Sequence, residues 1–314
     1  MKLKRMFTFN VSLFVIWILI FVAIFINAPS FGNPSYLLNV MLRNIVELGM
    51  VALPMTLIII TGGIDLSVGN TLVLSTMLGA MVATKFGDVA GILITLCIGT
   101  LCGMINGILI AKFKISAMVA TLATMFLYLG IARGLSKGES VYAYPFSEML
   151  GNTSIAGIPL QICLYIIMAI IFVLLLSKTS YGRKFYSIGL NENATKYAGI
   201  NTEKIQIVLY IICGLVCAIA AIIWLGRFTS VKYDAGTNFN LKVVTIVVLG
   251  GTSINGGIGD IKGTVLGTLI IATLNSGLTV LNIPIDVQTI VQGSILIIAL
   301  ISYAIVNNKS KQKR

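Results

Sequence analysis

The chain contains no histidine, and its 314 residues include only 10 Asp+Glu. Without imidazole there is no histidine general acid or base, no histidine metal ligand and no haem attachment. Charge of either sign is scarce, at 10%, where an ordinary soluble domain has about 25%. Hydrophobic residues make up 57%, and mean hydropathy is +1.00. A chain this poor in charge cannot clothe a globule of its size in polar surface. A soluble enzyme, a disordered tail and a disulfide-stapled secreted scaffold are all excluded. The chain is an integral membrane protein.

Cysteine is also sparse: Cys97, Cys102, Cys163, Cys213 and Cys217 all lie in apolar runs. Cys213 and Cys217 share a helix face, but two thiols are too few for a metal site. All five are expected to be buried small apolar residues without a redox role. Nucleotide-binding chemistry is missing as well. In the glycine-rich 256–264 stretch Lys262 is followed by Gly263, so the Gly-Lys-Ser/Thr ending of a phosphate loop is not met. Gly257 and Gly259 lack the third glycine of a dinucleotide fingerprint. No catalytic residue and no cofactor is expected, so any nucleotide chemistry must sit on another chain.

What is present is a series of apolar runs. A span needs about 20 predominantly apolar residues, and half-helices can be shorter where protein surrounds them. Ten candidates result: 11–27, 38–60, 66–84, 89–111, 117–135, 158–177, 205–225, 241–251, 263–281 and 286–306. The eighth is too short to cross alone, so it is a broken helix or extends into 233–240. The first run follows a basic start but lacks a small-x-small cleavage site, which favours a retained anchor over a signal peptide. The expected fold is an all-α polytopic helical bundle of about ten segments, some of them broken. Its expected parts are an N-terminal segment 1–10, a transmembrane domain 11–306 with a long loop 178–204, and a basic tail 307–314.

The net charge of +12 is dispersed between the apolar runs, which reads as a topology signal and excludes a nucleic-acid face. With the N-terminus inside, 15 of the 22 Lys+Arg fall on the inner side. The other seven are Arg43, Lys85, Arg133, Lys137, Arg227, Lys232 and Lys242. Both termini and the basic loop 178–204 then share the cytoplasmic face. Paired glycines at Gly62-Gly63, Gly250-Gly251 and Gly256-Gly257 mark irregular backbone. The stretches 62–69 and 256–263 echo one another as shared turn chemistry, both on the cytoplasmic side.

Within the long loop, Asn191 is placed to cap a short helix through Glu192, Ala194 and Lys196, with Gly199 as its stop. Such a helix suits a partner's groove; a basic loop held against anionic lipid is the equal alternative. Asp65 follows a double glycine and precedes an apolar run, so it reads as a helix cap or as a gate. Arg43 and Glu47, at i, i+4, can pair on one face, since a lone charge at mid-membrane costs about 2.5–3.5 kcal/mol on insertion scales. Asn106, Thr121, Thr124, Asn275, Gln288 and Gln292 are either solute contacts or interhelical hydrogen-bonding groups.

The run GRKFYSIGLNENATKYAGINTEKIQI at 182–207 resembles the coupling loop of ribose-type ABC transporter permeases. Three further segments agree: ALPMTLIIITGGIDLSVG at 52–69, ISAMVATLATMFLYLGIARG at 115–134 and VVLGGTSINGGIGDIKGTVLG at 247–267. The resemblance covers about residues 40–300 and leans toward the autoinducer-2 and rhamnose branches. It implies a bacterial inner-membrane permease subunit of an importer for a monosaccharide or sugar-like molecule. Nucleoside or branched-chain amino acid permeases, and an ion-coupled secondary transporter, are the alternatives. The implied partners are cytoplasmic ATP-binding subunits, an extracytoplasmic substrate-binding protein, a second permease (identical or homologous) and the bilayer. The implied ATPase-coupling residues are Gly189, Asn191, Glu192, Ala194 and Gly199. Two departures stand out. The family usually carries an acidic pair before the VVLGG segment, where this chain has Asn240 and Lys242, and Ala194-Thr195 replaces paired alanines.

Overall fold

A computed structural model describes residues 2–295 and 297. The chain is helical almost throughout. Its elements are α1 (Lys2–Asn27), α2 (Pro34–Ile60), α3 (Val68–Phe86), α4 (Asp88–Ala111) and α5 (Ala117–Ser136). There follow a short α6 (Pro145–Asn152), α7 (Leu160–Lys178), α8 (Ser180–Leu190), α9 (Glu192–Tyr197) and α10 (Thr202–Phe228). The half-length α11 (Phe239–Leu249), α12 (Ile261–Val280) and α13 (285–295) complete it. Among the described residues seven helices are long and apolar enough to cross a membrane: α1, α2, α4, α5, α7, α10 and α12. The expected span 286–306 begins as α13; its remainder and the tail 307–314 lie outside the described residues. The first helix runs from Lys2 with no break before the expected span at 11.

Two features organise the bundle. The first is the pairing of α4 with α10 through glycine. A Cβ at Gly103 would stand 2.2 Å from the Tyr210 carbonyl oxygen, and one at Gly214 would stand 2.1 Å from that of Gly99. Only hydrogen at these positions lets the two backbones meet, and the contact replaces lipid with packed atoms. The second is the burial of α2, whose residues from Met50 to Ile60 are shielded on all sides. By contrast α1 lies at the edge. Its Trp17 Nε1 donates to Thr273 Oγ1 at 2.9 Å, and Asn10 Nδ2 donates to Asp260 Oδ2 at 2.9 Å. Exposed Leu19, Ile26, Leu93, Ile166 and Ile170 present an apolar girdle for the bilayer.

One end of the bundle gathers 61–67, 112–116, α8, α9 and 250–260. The Gly257 N–H donates to the Ile60 carbonyl at 2.8 Å, and Tyr186 Oη donates to the Gly259 carbonyl at 2.7 Å. The two glycine-paired stretches therefore meet at one end, on the same side as expected. The opposite end carries α6, the small hairpin β2 (Ser154–Ile155) with β3 (Ile158–Pro159), and β1 (Val141–Tyr142) paired antiparallel with β4 (Ser230–Val231).

The short eighth run resolves as a broken helix. With 11 residues, α11 is about 16 Å long, and residues 232–238 before it are not helical. Cysteine burial is mixed: Cys102, Cys213 and Cys217 are buried, Cys163 is intermediate and Cys97 is exposed. The expectation of five buried cysteines fails at Cys97 and is met only in part at Cys163, because an apolar helix face in lipid can take a thiol as readily as a packed face can.

Candidate functional site

The short helix α9 is built from local signals. Asn191 is its N-cap, and its Oδ1 accepts from the Ala194 N–H at 2.9 Å. At the other end Gly199 takes φ +80, and the Ile200 N–H reaches back to the Thr195 carbonyl at 3.4 Å. Such a left-handed residue closes a helix and is open to glycine without penalty.

Inward-facing side chains tether α9 to the body. Glu192 Oε1 pairs with Lys114 at 3.2 Å and accepts from Thr202 Oγ1 at 3.2 Å; Gln206 Nε2 donates to its Oε2 at 3.4 Å. Lys196 pairs with Glu203 at 2.7 Å, and that ion pair holds the Lys196 ammonium above the ordinary lysine range. Thr195 is buried. The outward face stays free: Asn193, Ala194 and Ala198 are exposed, and Tyr197 is 93% exposed. Gly189 serves the body, since a Cβ there would stand 1.8 Å from the Ile60 carbonyl oxygen and 2.5 Å from the Gly257 nitrogen. Of the expected coupling residues, Ala194 faces outward, while Gly189, Asn191, Glu192 and Gly199 shape and anchor the segment. Lys114, Tyr186, Glu203 and Gln206 belong to the same assembly. Nothing local in the sequence marks them, although the shared side of the 112–114 and 178–204 loops does bring Lys114 near.

Beneath α9 lies a cavity of about 210 Å³, bounded by Thr61, Gly62, Lys114, Glu192, Gln206 and Tyr210. Beyond it the chain turns inward to Asp65, which is 3% exposed. Asp65 is not the cap residue of α3; Ser67 is. The Asp65 carboxylate accepts from the Ser67 N–H at 2.9 Å and the Ser67 hydroxyl at 2.7 Å, forming a turn two residues ahead of the helix. Asn106 Nδ2 donates to Ser67 Oγ at 2.8 Å, and Thr124 Oγ1 donates to Asn106 Oδ1 at 2.7 Å. Tyr210 Oη and Thr121 Oγ1 both donate to the Ile64 carbonyl, at 3.3 and 3.4 Å. This buried cluster joins α3, α4, α5 and α10 through one loop. The polar groups at Asn106, Thr121 and Thr124 are thus engaged between helices. Gln292 likewise donates to Asn275 Oδ1 at 2.9 Å, and Gln288 to the Ile283 carbonyl at 2.9 Å.

At the opposite end the expected Arg43–Glu47 pair does not form. Glu47 instead pairs with Arg227 at 2.9 Å, and Arg43 donates to the Gly151 carbonyl and Asn152 Oδ1. The reason is local: α2 contains a π turn at Leu37–Leu42 and a 3₁₀ turn at Arg43–Ile45. Residues four apart across that change of pitch no longer share a face. Lys242, expected with the outer basic residues, is half-buried on the first turn of α11. The adjacent Asn240 Nδ2 lies 3.6 Å from Met125 Sδ, and Met125 is at the middle of α5. Among the described residues, no set of three His, Cys, Asp or Glu side chains could hold a metal.

Comparison with known proteins gives a consistent picture. Residues 36–300 match the family model for the branched-chain amino acid transport system / permease component. The ribose import permease protein of Bacillus subtilis (strain 168) is 39% identical over 291 residues, covering 91% of this chain and 89% of the relative. The autoinducer 2 import system permease protein of Photorhabdus temperata is 35% identical, covering 87% of this chain and 86% of its own. The ribose import permease protein of Escherichia coli (strain K12) is also 35% identical, over 90% and 89%. No solved structure matches. With most of its length aligned to permeases and a bundle of apolar spanning helices, the chain belongs to the permease-component family of branched-chain amino acid transport systems and is a multi-pass membrane permease of an ABC importer.

Proposed function

We propose that this permease carries a monosaccharide or sugar-like solute into the bacterial cell, powered by separate cytoplasmic ATP-binding subunits and supplied by an extracytoplasmic binding protein. A second permease, identical or homologous, completes the membrane part. The end holding α9 is cytoplasmic, with both chain termini on that side. The relatives named for ribose and for autoinducer 2 support the solute class. The observation that carries the coupling role is the two-sidedness of α9. Its inner face is tied to the bundle by Glu192 and Thr195, and its outer face offers Ala194 and a bare Tyr197.

That arrangement suits a lever. A docked ATPase that moved α9 would also move α8, which is seated on the last carbonyl of α2 through Gly189. The α2 end leads directly into the 61–67 loop and the Asp65 cluster, where four helices are joined. Displacement at the surface thus reaches the bundle interior through packed groups. The energy must come from different contacts in the two states, supplied by the ATPase.

Ala194→Glu tests the reading. A bulky charge on the outer face prevents seating in a preformed cleft by overpacking and by burial of an unpaired charge. Ala194 is exposed and only its backbone N–H and carbonyl are used internally, so the permease should accumulate normally. The expected result is loss of ATPase co-purification, together with uptake and permease-stimulated ATP hydrolysis. Retention of both the complex and uptake in Ala194→Glu overturns the coupling role.

A further inference from the structure

The segment 233–242, with several polar residues, runs beside α5 at a depth where the surroundings should be hydrocarbon. At its outer limit the Arg133 guanidinium stacks over the Tyr233 ring at 5.4 Å. At its inner limit Asn240 Nδ2 meets Met125 Sδ at 3.6 Å, and Asn70 Nδ2 donates to the Met125 carbonyl at 2.8 Å. Arg133 and Met125 are eight residues apart on one helix, so the segment descends about 12 Å, from near the end of α5 to its middle. Its backbone closes on α3, where a Cβ at Gly69 would stand 2.6 Å from the Gly236 carbonyl oxygen. Along this descent Thr237 and Asn238 are exposed and Asn240 and Lys242 are half-buried, whereas Val243 to Val248 are buried. The first turn of α11 is open ahead of that buried run, and it sets Asn240 and Lys242 on either side of an exposed Leu241.

Lipid suits the exposed Leu241 but not the amide and ammonium beside it or the irregular backbone that precedes them. Non-helical backbone at membrane depth persists only where protein surrounds it or water fills the space beside it. Charged side chains in spans face a bundle interior or an aqueous cavity. A dry protein contact fits poorly, because no carboxylate pairs with Lys242 among the described residues. Burial of an unpaired ammonium is strongly disfavoured, and a second identical copy would bring a like charge to the same face. Water is the environment that remains, with a second permease closing the far wall.

Resting on the permease reading above, we infer that Asn238, Asn240 and Lys242 line a water-filled translocation path, and that Lys242 makes this path favour oxyanionic over cationic solutes. The charge at Lys242 sets the sign of that preference. A carboxylate at that position attracts cations; an ammonium donates to solute oxygens and repels them.

The test uses the assembled transporter in membrane vesicles, with the native cysteines replaced and single cysteines introduced. Asn240→Cys and, as a lipid-facing control, Ile167→Cys are treated with two small thiosulfonates, one bearing a sulfonate and one a quaternary ammonium. Asn240→Cys should react at least about 10-fold faster than Ile167→Cys, and several-fold faster with the sulfonate than with the ammonium reagent. Adding Lys242→Gln should abolish that charge preference, Lys242→Glu should reverse it and Lys242→Arg should keep it. Reactivity at Asn240→Cys no greater than at Ile167→Cys in an assembled complex means a dry contact and overturns the inference. A charge preference unmoved by Lys242→Glu overturns the role of Lys242. Labelling needs no turnover, so these outcomes are independent of whether Ala194→Glu uncouples the ATPase.

Discussion

At one end of the molecule, Lys114, Glu192, Lys196 and Glu203 pair with between a third and about half of each side chain exposed; at the other, Glu47 and Arg227 pair with side chains 4% and 9% exposed. The chemistry is the same and the energetics are not. Water screens the first group, so each pair contributes little and can be broken and remade as α9 moves. The second group sits in low dielectric, where loss of one partner strands the other. Arg227 also donates to Asn44 Oδ1 at 2.6 Å, which ties α10 to the irregular part of α2. The first network suits a part that shifts, and the second suits a part that stays.

The largest effect should follow from breaking the buried pair. Arg227→Met leaves the Glu47 carboxylate without its ion-pair partner, with only the Arg43 charge nearby, and is expected to lower stability by about 3–5 kcal/mol. Thermal unfolding in detergent should register this as a large fall in midpoint, and Glu47→Met in the same chain should recover most of it. No recovery in the double variant would mean that Arg227 acts through packing and not through Glu47.

Gly189→Ala comes next. The new methyl meets the Ile60 carbonyl and the Gly257 nitrogen, and overpacking of this kind costs about 1–3 kcal/mol. Protease sensitivity within α8 and α9 should rise while the rest of the bundle is unchanged. Unaltered proteolysis would separate α8 from the end of α2.

Asp65 sharpens the contrast from a third position, since it is a buried carboxylate held by hydroxyl, amide and backbone donors. Asp65→Leu leaves the Ser67 N–H and hydroxyl without their acceptor and should cost about 1–3 kcal/mol. Asp65→Asn keeps an acceptor oxygen, so folding and uptake should persist. If Asp65→Asn folds normally yet carries nothing, the charge itself acts in gating.

Lys196→Ala should give the smallest change, visible only at low salt. Its pH dependence has a definite sign. Glu203 raises the Lys196 pKa in the folded state. The contribution is therefore complete below the unfolded lysine value of about 10.4 and disappears as pH rises through the higher folded value. Melting curves of wild type and Lys196→Ala should converge above that range, and convergence at neutral pH would assign the effect to another group.

How much of this could be read in advance depended on distance along the chain. The α9 cap at Asn191 and the stop at Gly199 act within a few residues, so spacing alone exposes them. The broken α11 was legible because eleven apolar residues cannot cross a bilayer. Glu47 was misassigned because its partner lies 180 positions away and a change of helical pitch removes the near one. Asp65 was legible as an organiser of the α3 start but not as the centre of a four-helix cluster. The depth of Lys242 was hidden for a similar reason: charge counting assigns residues to sides, and a half-length helix begins at neither.

The half-length of α11 also bears on how the protein is made. A 16 Å helix preceded by irregular backbone offers the insertion machinery no segment able to partition into lipid by itself. Its resting place is built mainly from α2, made earlier, and α12, made later: a Cβ at Gly267 would stand 2.4 Å from the Ile246 carbonyl oxygen. Residues 232–249 must therefore wait at the membrane surface until α12 has been made and closes with α2 around them. Chains truncated after residue 250 should leave this stretch unintegrated and chains extended through α12 should integrate it, so membrane integration of one segment becomes a report on the assembly of two others.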